Sequence, residues 1–148
     1  MNKIYTIGFT QKNAEKFFGL IKNNGISLLV DVRLNNTSQL AAFSKYPDIE
    51  FFLKEICGCG YKHEICFAPE NSTLSRYKKK DIGWDSYVEE FSETMKKRNI
   101  KDYIKNNYDI PMDICLLCSE ATPEYCHRRL IAEMMHEVFP KAEIIHLK

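Results

Sequence analysis

The chain has 148 residues, 45% hydrophobic and 28% charged, with a net charge of +1. Those figures predict one soluble globular domain spanning residues 1–148, long enough to bury a core without covalent staples. They exclude a strong global field toward DNA or a membrane surface, and no stretch approaches the roughly 18 apolar residues of a membrane span.

Residues 3–9 (KIYTIGF) alternate in polarity and predict a strand. Residues 11–24 place Phe17, Phe18, Leu20 and Ile21 at near-helical spacing and end at Gly25, a suitable C-cap. Residues 26–33 (ISLLVDVR) are almost continuously apolar and close on Asp31 and Arg33, which suits a strand buried on both faces. A polar loop is expected over 34–39. From Pro47-Asp48 onward, Ile49, Phe52, Leu53 and Ile56 have helical spacing, and Gly58 and Gly60 end the segment.

Residues 61–67 alternate, with Tyr61, His63, Ile65 and Phe67 on one face of a predicted strand. A polar stretch carrying Arg76, Lys78, Lys79 and Lys80 follows as a loop. Helices are predicted over 84–98 and 100–108, and a strand over 112–118. Thr122-Pro123-Glu124 supplies an N-cap, a proline for the first helical position and an acid in the first turn, which predicts a helix over 123–138. A strand over 142–147 closes the chain. Strands and helices alternate, so the expected fold is α/β: a mainly parallel sheet with helices on both faces, in three layers.

The N-terminus lacks the long apolar run of a signal peptide, so a cytoplasmic location is expected, with the six cysteines reduced. In an open α/β sheet, ligands bind beyond the carboxyl ends of the strands. Thr6, Gly8 and Thr10 stand at the end of the first strand, and Asp31 and Arg33 at the end of the second. Cys118 and Glu120 end the strand over 112–118, with Cys126, His127 and Arg128 opening the helix after it. If these strands are parallel neighbours, the three groups meet at one edge.

Each residue has a functional and a purely structural reading. Asp31 and Arg33 share a side of an extended chain and either pair with each other or leave Arg33 free to grip a phosphate or carboxylate. Glu120 is a candidate general base, or a partner for Arg128. His127 lies in line with Leu130, Ile131 and Met134, so it points at the sheet, either as a packed residue or as a proton carrier. Six residues after Cys118 stands Glu124, so the Cys-to-Arg spacing of a phosphatase-type loop is absent. Cys126 near a helix start has a route to thiolate character, against a plainer role as a small buried filler. Cys57, Cys59, His63 and Cys66 crowd together, yet Cys-Gly-Cys lacks the usual two-residue gap, and His63 and Cys66 face opposite ways. No metal site is expected.

The pieces YTIGFT, LVDVR, AFSK at 42–45, YKHEICFAP at 61–69, GWDSYVEEF at 83–91, LLCSE at 116–120 and CHRRLIAE at 126–133 together resemble the family known as domain of unknown function 488. The resemblance implies a compact α/β fold and a signature made of Thr6, Gly8, Asp31, Arg33, Cys118, Glu120, Cys126, His127 and Arg128. It implies no reaction and names no cofactor. Phe9 stands where histidine is common in the family, so no role at that position carries over.

The leading expectation is an enzyme acting on an anionic substrate, phosphate-bearing or related to a nucleotide or nucleic acid. Arg33 and Arg128 would hold the anion, with Thr6, Gly8, Thr10, Cys118 and Cys126 lining the site. Asp31, Glu120 and His127 would carry general acid/base chemistry. Two alternatives stand beside it. One is a non-catalytic nucleic-acid-binding module using the basic residues at 76–80 and Arg98. The other is a structural or partner-binding protein whose polar cluster is an ion-pair network.

Overall fold

The computed structural model describes residues 1–37 and 41–148. The polar loop expected over 34–39 therefore lies partly outside the described residues. Five strands form one sheet: β1 (Lys3–Gly8), β2 (Leu28–Asp31), β3 (Gly60–His63), β4 (Ile114–Cys118) and β5 (Glu143–His146). Every pairing is parallel and the strand order is β3-β2-β4-β1-β5. Six α-helices connect them: α1 (Ala14–Asn23), α2 (Asp48–Phe52), α3 (Asn71–Lys78), α4 (Trp84–Lys97), α5 (Ile100–Asn107) and α6 (His127–Val138).

Side chains on a strand alternate between the two faces of a sheet, and here successive residues feed two separate cores. Ile4, Val30, Ile114 and Leu116 join Phe91, Met95, Ile104, Ile131 and Met135 from α4, α5 and α6. Tyr5, Leu29, Cys115 and Leu117 join Phe17, Phe18 and Ile21 of α1 with Ile49 and Leu53 of the α2 segment. The central strands are apolar on both faces because both faces are covered.

Local chemistry sets several boundaries. The Asn13 side chain accepts from the Lys16 N–H at 2.8 Å and starts α1. Gly25, at φ +64°, takes the left-handed conformation that ends the turn after it. The helix begun at Asp48 relaxes into one π-turn, Leu53–Cys57, and stops at Gly58, again with positive φ.

Four expectations need correction. The strand expected over 61–67 ends at His63, because Glu64 turns inward. The Glu64 carboxylate accepts from Tyr103 Oη at 2.9 Å and Tyr108 Oη at 2.5 Å, and pairs with Lys62 at 2.9 Å. A short 3-10 turn, Ile65–Phe67, follows. The basic stretch expected as a loop contains α3, which buries only Thr73 completely and so shows little apolar periodicity. The helix expected from 123 begins at His127. Thr122, Pro123 and Glu124 form a bend ahead of it, since a proline that fits a first helical turn fits a β-turn equally well. The strands expected over 26–33 and 112–118 are shorter, at 28–31 and 114–118.

Glu64 is buried, so its phenol donors matter to stability. Tyr108→Phe is expected to lower the unfolding free energy by about 1–3 kcal/mol, read as a shift in the urea midpoint. Tyr103→Phe, on the half-buried side, should cost less.

Candidate functional site

The three strand ends meet. Gly8 lies opposite Cys118, and Asp31 opposite Leu117, so β4 sits between β1 and β2. After β1 the chain enters α1 on one face, and after β4 it enters α6 on the other. Connections that leave neighbouring strands for opposite faces mark the carboxyl edge between those strands as the usual ligand position in such sheets.

At the β2 end, Asp31 and Arg33 close on each other. Arg33 Nε donates to Asp31 Oδ1 at 2.9 Å and Nη2 to Oδ2 at 2.7 Å, and both residues are buried. The remaining Arg33 donors reach the Ser44 carbonyl at 2.6 Å and hydroxyl at 3.3 Å. Tyr61 Oη donates to Asp31 Oδ2 at 2.6 Å. Burial works to lower the Arg33 pKa, but the Asp31 bonds outweigh it and the net direction is up. Burial, reinforced by Asp31, likewise pushes the Tyr61 phenol up. This half of the cluster is a satisfied ion-pair network.

At the β1–β4 edge the pattern is different. Arg128, in the first turn of α6, is fully buried. Its Nη1 donates to the Glu120 carbonyl oxygen at 2.6 Å, pinning the loop that leaves β4. Glu120 is thus bound through its backbone, while its side chain is exposed. Among the described residues, Arg128 Nε and Nη2 have no hydrogen-bond partner, and no carboxylate forms an ion pair with the guanidinium.

Gly8 makes this approach possible, since a Cβ there would stand 1.6 Å from the Glu120 oxygen and 3.1 Å from Arg128 Nη1. The Thr10 N–H donates to the Ser119 carbonyl at 3.1 Å and ties the two loops together. Thr6, fully buried, has its hydroxyl 2.6 Å from His146 Nδ1 on the adjacent β5. The Arg128 charge is felt around it: after burial, it is the next cause holding the Lys12 and His146 pKa values down. Lys12 and His146 were not singled out in the sequence. Lys12 follows β1 directly and was legible as a loop cation, but His146 needs the β1–β5 pairing to be seen.

Cys118, Cys126 and His127 stand at the end of β4 and the start of α6, all buried. His127 Nε2 donates to the Val32 carbonyl at 2.6 Å, so the ring bridges β4's helix to the end of β2. Cys118 Sγ is 3.7 Å from Nδ1 of the same ring. Cys126 is the N-cap residue of α6. Of the coupled thiols, Cys126 is drawn down, by the hydrogen bond from Cys118 first and by His127 and Arg128 as well, while that bond and burial push Cys118 up. A helix N-terminus favours the same thiolate.

The four clustered residues Cys57, Cys59, His63 and Cys66 do not converge. The Cys57 thiol faces the Phe18 carbonyl, and the His63 ring faces the Arg33 carbonyl at 2.7 Å. Of the basic run, Arg76 is paired with Glu90 across α3 and α4, whereas Lys78, Lys79 and Lys80 are exposed.

The model of the family described as domain of unknown function DUF488 matches residues 13–135. The chain belongs to this family. The DUF488 match takes in Asp31, Arg33, Cys118, Glu120, Cys126, His127 and Arg128, and begins after β1, so Thr6, Gly8 and Thr10 lie outside it. No curated protein and no solved structure matches the chain. Among the described residues of this DUF488 protein, no helix is long and apolar enough to cross a membrane.

Proposed function

We propose that this protein binds a phosphate-bearing anion in the crevice between β1 and β4 and acts on it there. The observation that carries the reading is Arg128, a fully buried guanidinium with two donor nitrogens unfilled among the described residues. A charge taken out of water without a partner is expensive, and proteins normally supply one. The planar fork of an arginine matches two oxygens of a phosphate or carboxylate. Lys12 adds a second positive charge near it, and the β1 and β4 loops supply the rim.

In this reading Arg33 is a scaffold and Arg128 the anion partner, because the Arg33 donors are already taken. Asp31 holds Arg33 in place. Glu120, exposed on the rim, is the proton acceptor of a reaction at the bound anion. The ligand reaches outward over an aromatic ledge: Tyr125 packs edge-on against Trp84 at 5.7 Å, with Arg129 over the Trp84 ring at 5.9 Å. Tyr125 is largely exposed. Such a surface suits a nucleobase, which favours a nucleotide or a single-stranded nucleic-acid end over a bare inorganic anion.

The test is a thermal-shift panel of phosphate, pyrophosphate, mononucleotides and short oligonucleotides on chelator-treated protein. A ligand at about 100 times its dissociation constant adds roughly 2.7 kcal/mol of apparent stability. Arg128→Met should abolish that shift. Without ligand, the variant should lose no more than the roughly 1.5–3 kcal/mol of one charged hydrogen bond, or even gain stability, because it removes a buried unpaired charge. No shift with any member of the panel would overturn the reading.

A further inference from the structure

We propose that Cys118, Cys126 and His127 form a zinc site, with the fourth position open toward the crevice. Their ligand-capable atoms lie within 4.8 Å of one another, and among the described residues they are the one group of three or more such side chains so placed. Tetrahedral zinc, with Zn–S of about 2.3 Å and Zn–N of about 2.0–2.1 Å, spaces its ligand atoms by about 3.5–3.8 Å. The group therefore needs to draw together by about 1.3 Å at most. Two thiolates and an imidazole are a soft donor set, suited to zinc and unsuited to calcium or magnesium.

A second observation points the same way. Zinc-bound histidines characteristically give their other ring N–H to a carbonyl or carboxylate, which fixes the tautomer. His127 does this: Nε2 donates to the Val32 carbonyl at 2.6 Å, which in the neutral ring leaves the lone pair on Nδ1. Cys118 Sγ lies 3.7 Å from Nδ1 and 4.0 Å from Nε2, so it stands beside the ring. Metal entry turns Nδ1 toward the sulfurs, with the Nε2–Val32 bond as the pivot.

The protein supplies three ligands from two elements, the end of β4 and the start of α6, and none of them is held by a disulfide. Three protein ligands with one open position is the arrangement of catalytic rather than structural zinc. Two thiolates neutralise the dication, so the buried Arg128 next to His127 still calls for an anion. An anionic ligand in the crevice would meet both the metal and the guanidinium. The zinc proposal stands without the anion reading, since it uses neither Arg128 nor Lys12.

The experiment is a cobalt(II) titration of the reduced, folded full chain, followed by competition with zinc. The expected result is one equivalent bound, with visible d–d bands of tetrahedral intensity and near-ultraviolet thiolate-to-cobalt charge-transfer bands, all displaced by zinc. Cys126→Ser and His127→Ala should weaken zinc binding by more than the roughly 10–100-fold cost of losing a group that only hydrogen-bonds to a ligand. Cys66→Ser, outside the group, should bind as the wild type does. Arg128→Met should still take up the metal, which separates failure of this proposal from failure of the anion reading. No uptake by the wild type, or cobalt bands without a thiolate contribution, would overturn it, and that readout needs no variant to fold. Unchanged affinity in a folded Cys126→Ser would overturn it equally.

Discussion

Asp31→Ala is expected to lower the unfolding free energy by about 3–5 kcal/mol, the usual cost of removing one partner from a buried ion pair. Asp31 is completely buried and takes bonds from Arg33 Nε and Nη2, the Arg33 backbone N–H at 3.1 Å, and the Tyr61 hydroxyl. Truncation leaves the guanidinium, among the described residues, with Ser44 as its one hydrogen-bond partner, and leaves the Tyr61 hydroxyl without its acceptor. Urea unfolding followed by circular dichroism measures the loss. The companion is the double variant Asp31→Leu with Arg33→Met, which removes both charges and keeps the volume. It should recover most of the stability, because a buried pair replaced by packed apolar groups is often neutral or better. A loss below about 1 kcal/mol in Asp31→Ala, the size of an exposed pair, would contradict the closed network.

The meeting of the strand ends depends on one topological condition, that the strand ending at Cys118 lies beside the strand ending at Asp31. The sequence carried the condition in the apolar runs around Val30 and Leu116, since strands apolar on both faces belong in the middle of a parallel sheet. It left open which polar residues would be spent on each other, since Asp31 and Arg33 could pair or leave the arginine free. Arg33 and Arg128 read alike as cations near strand ends. Part of their difference arises from a distant partner: Ser44 takes the donors that Asp31 leaves on the first, while among the described residues the second meets only the Glu120 carbonyl. The same limit hid the partner of His127, because Val32 is 95 residues away in the chain. The misplaced start of α6 has a local cause. Thr-Pro-Glu is equally good turn chemistry, and the Arg128–Glu120 bond that holds the loop as a bend is invisible until β4 and α6 are placed.

Gly8→Ala is the change expected to disturb the crevice most for the fewest atoms added. Gly8 needs no special backbone conformation, so the requirement is one of space. The new methyl would sit 1.6 Å from the Glu120 oxygen and 2.7 Å from its carbonyl carbon, both backbone atoms that cannot swing aside as a side chain does. Residues 119–126 must move, and the Arg128–Glu120 and Thr10–Ser119 bonds go with them. Overpacking and a lost charged hydrogen bond together set the expected cost at about 3 kcal/mol or more. Any ligand-induced rise in melting temperature should vanish in the same variant. Gly19→Ala, on α1 where a Cβ meets nothing within 4 Å, is the matched control and should gain roughly 0.4–1 kcal/mol. If Gly8→Ala melts with the wild type and keeps its ligand response, the β4–α6 loop is not seated on β1, and the buried arginine loses the geometry that makes it an anion site.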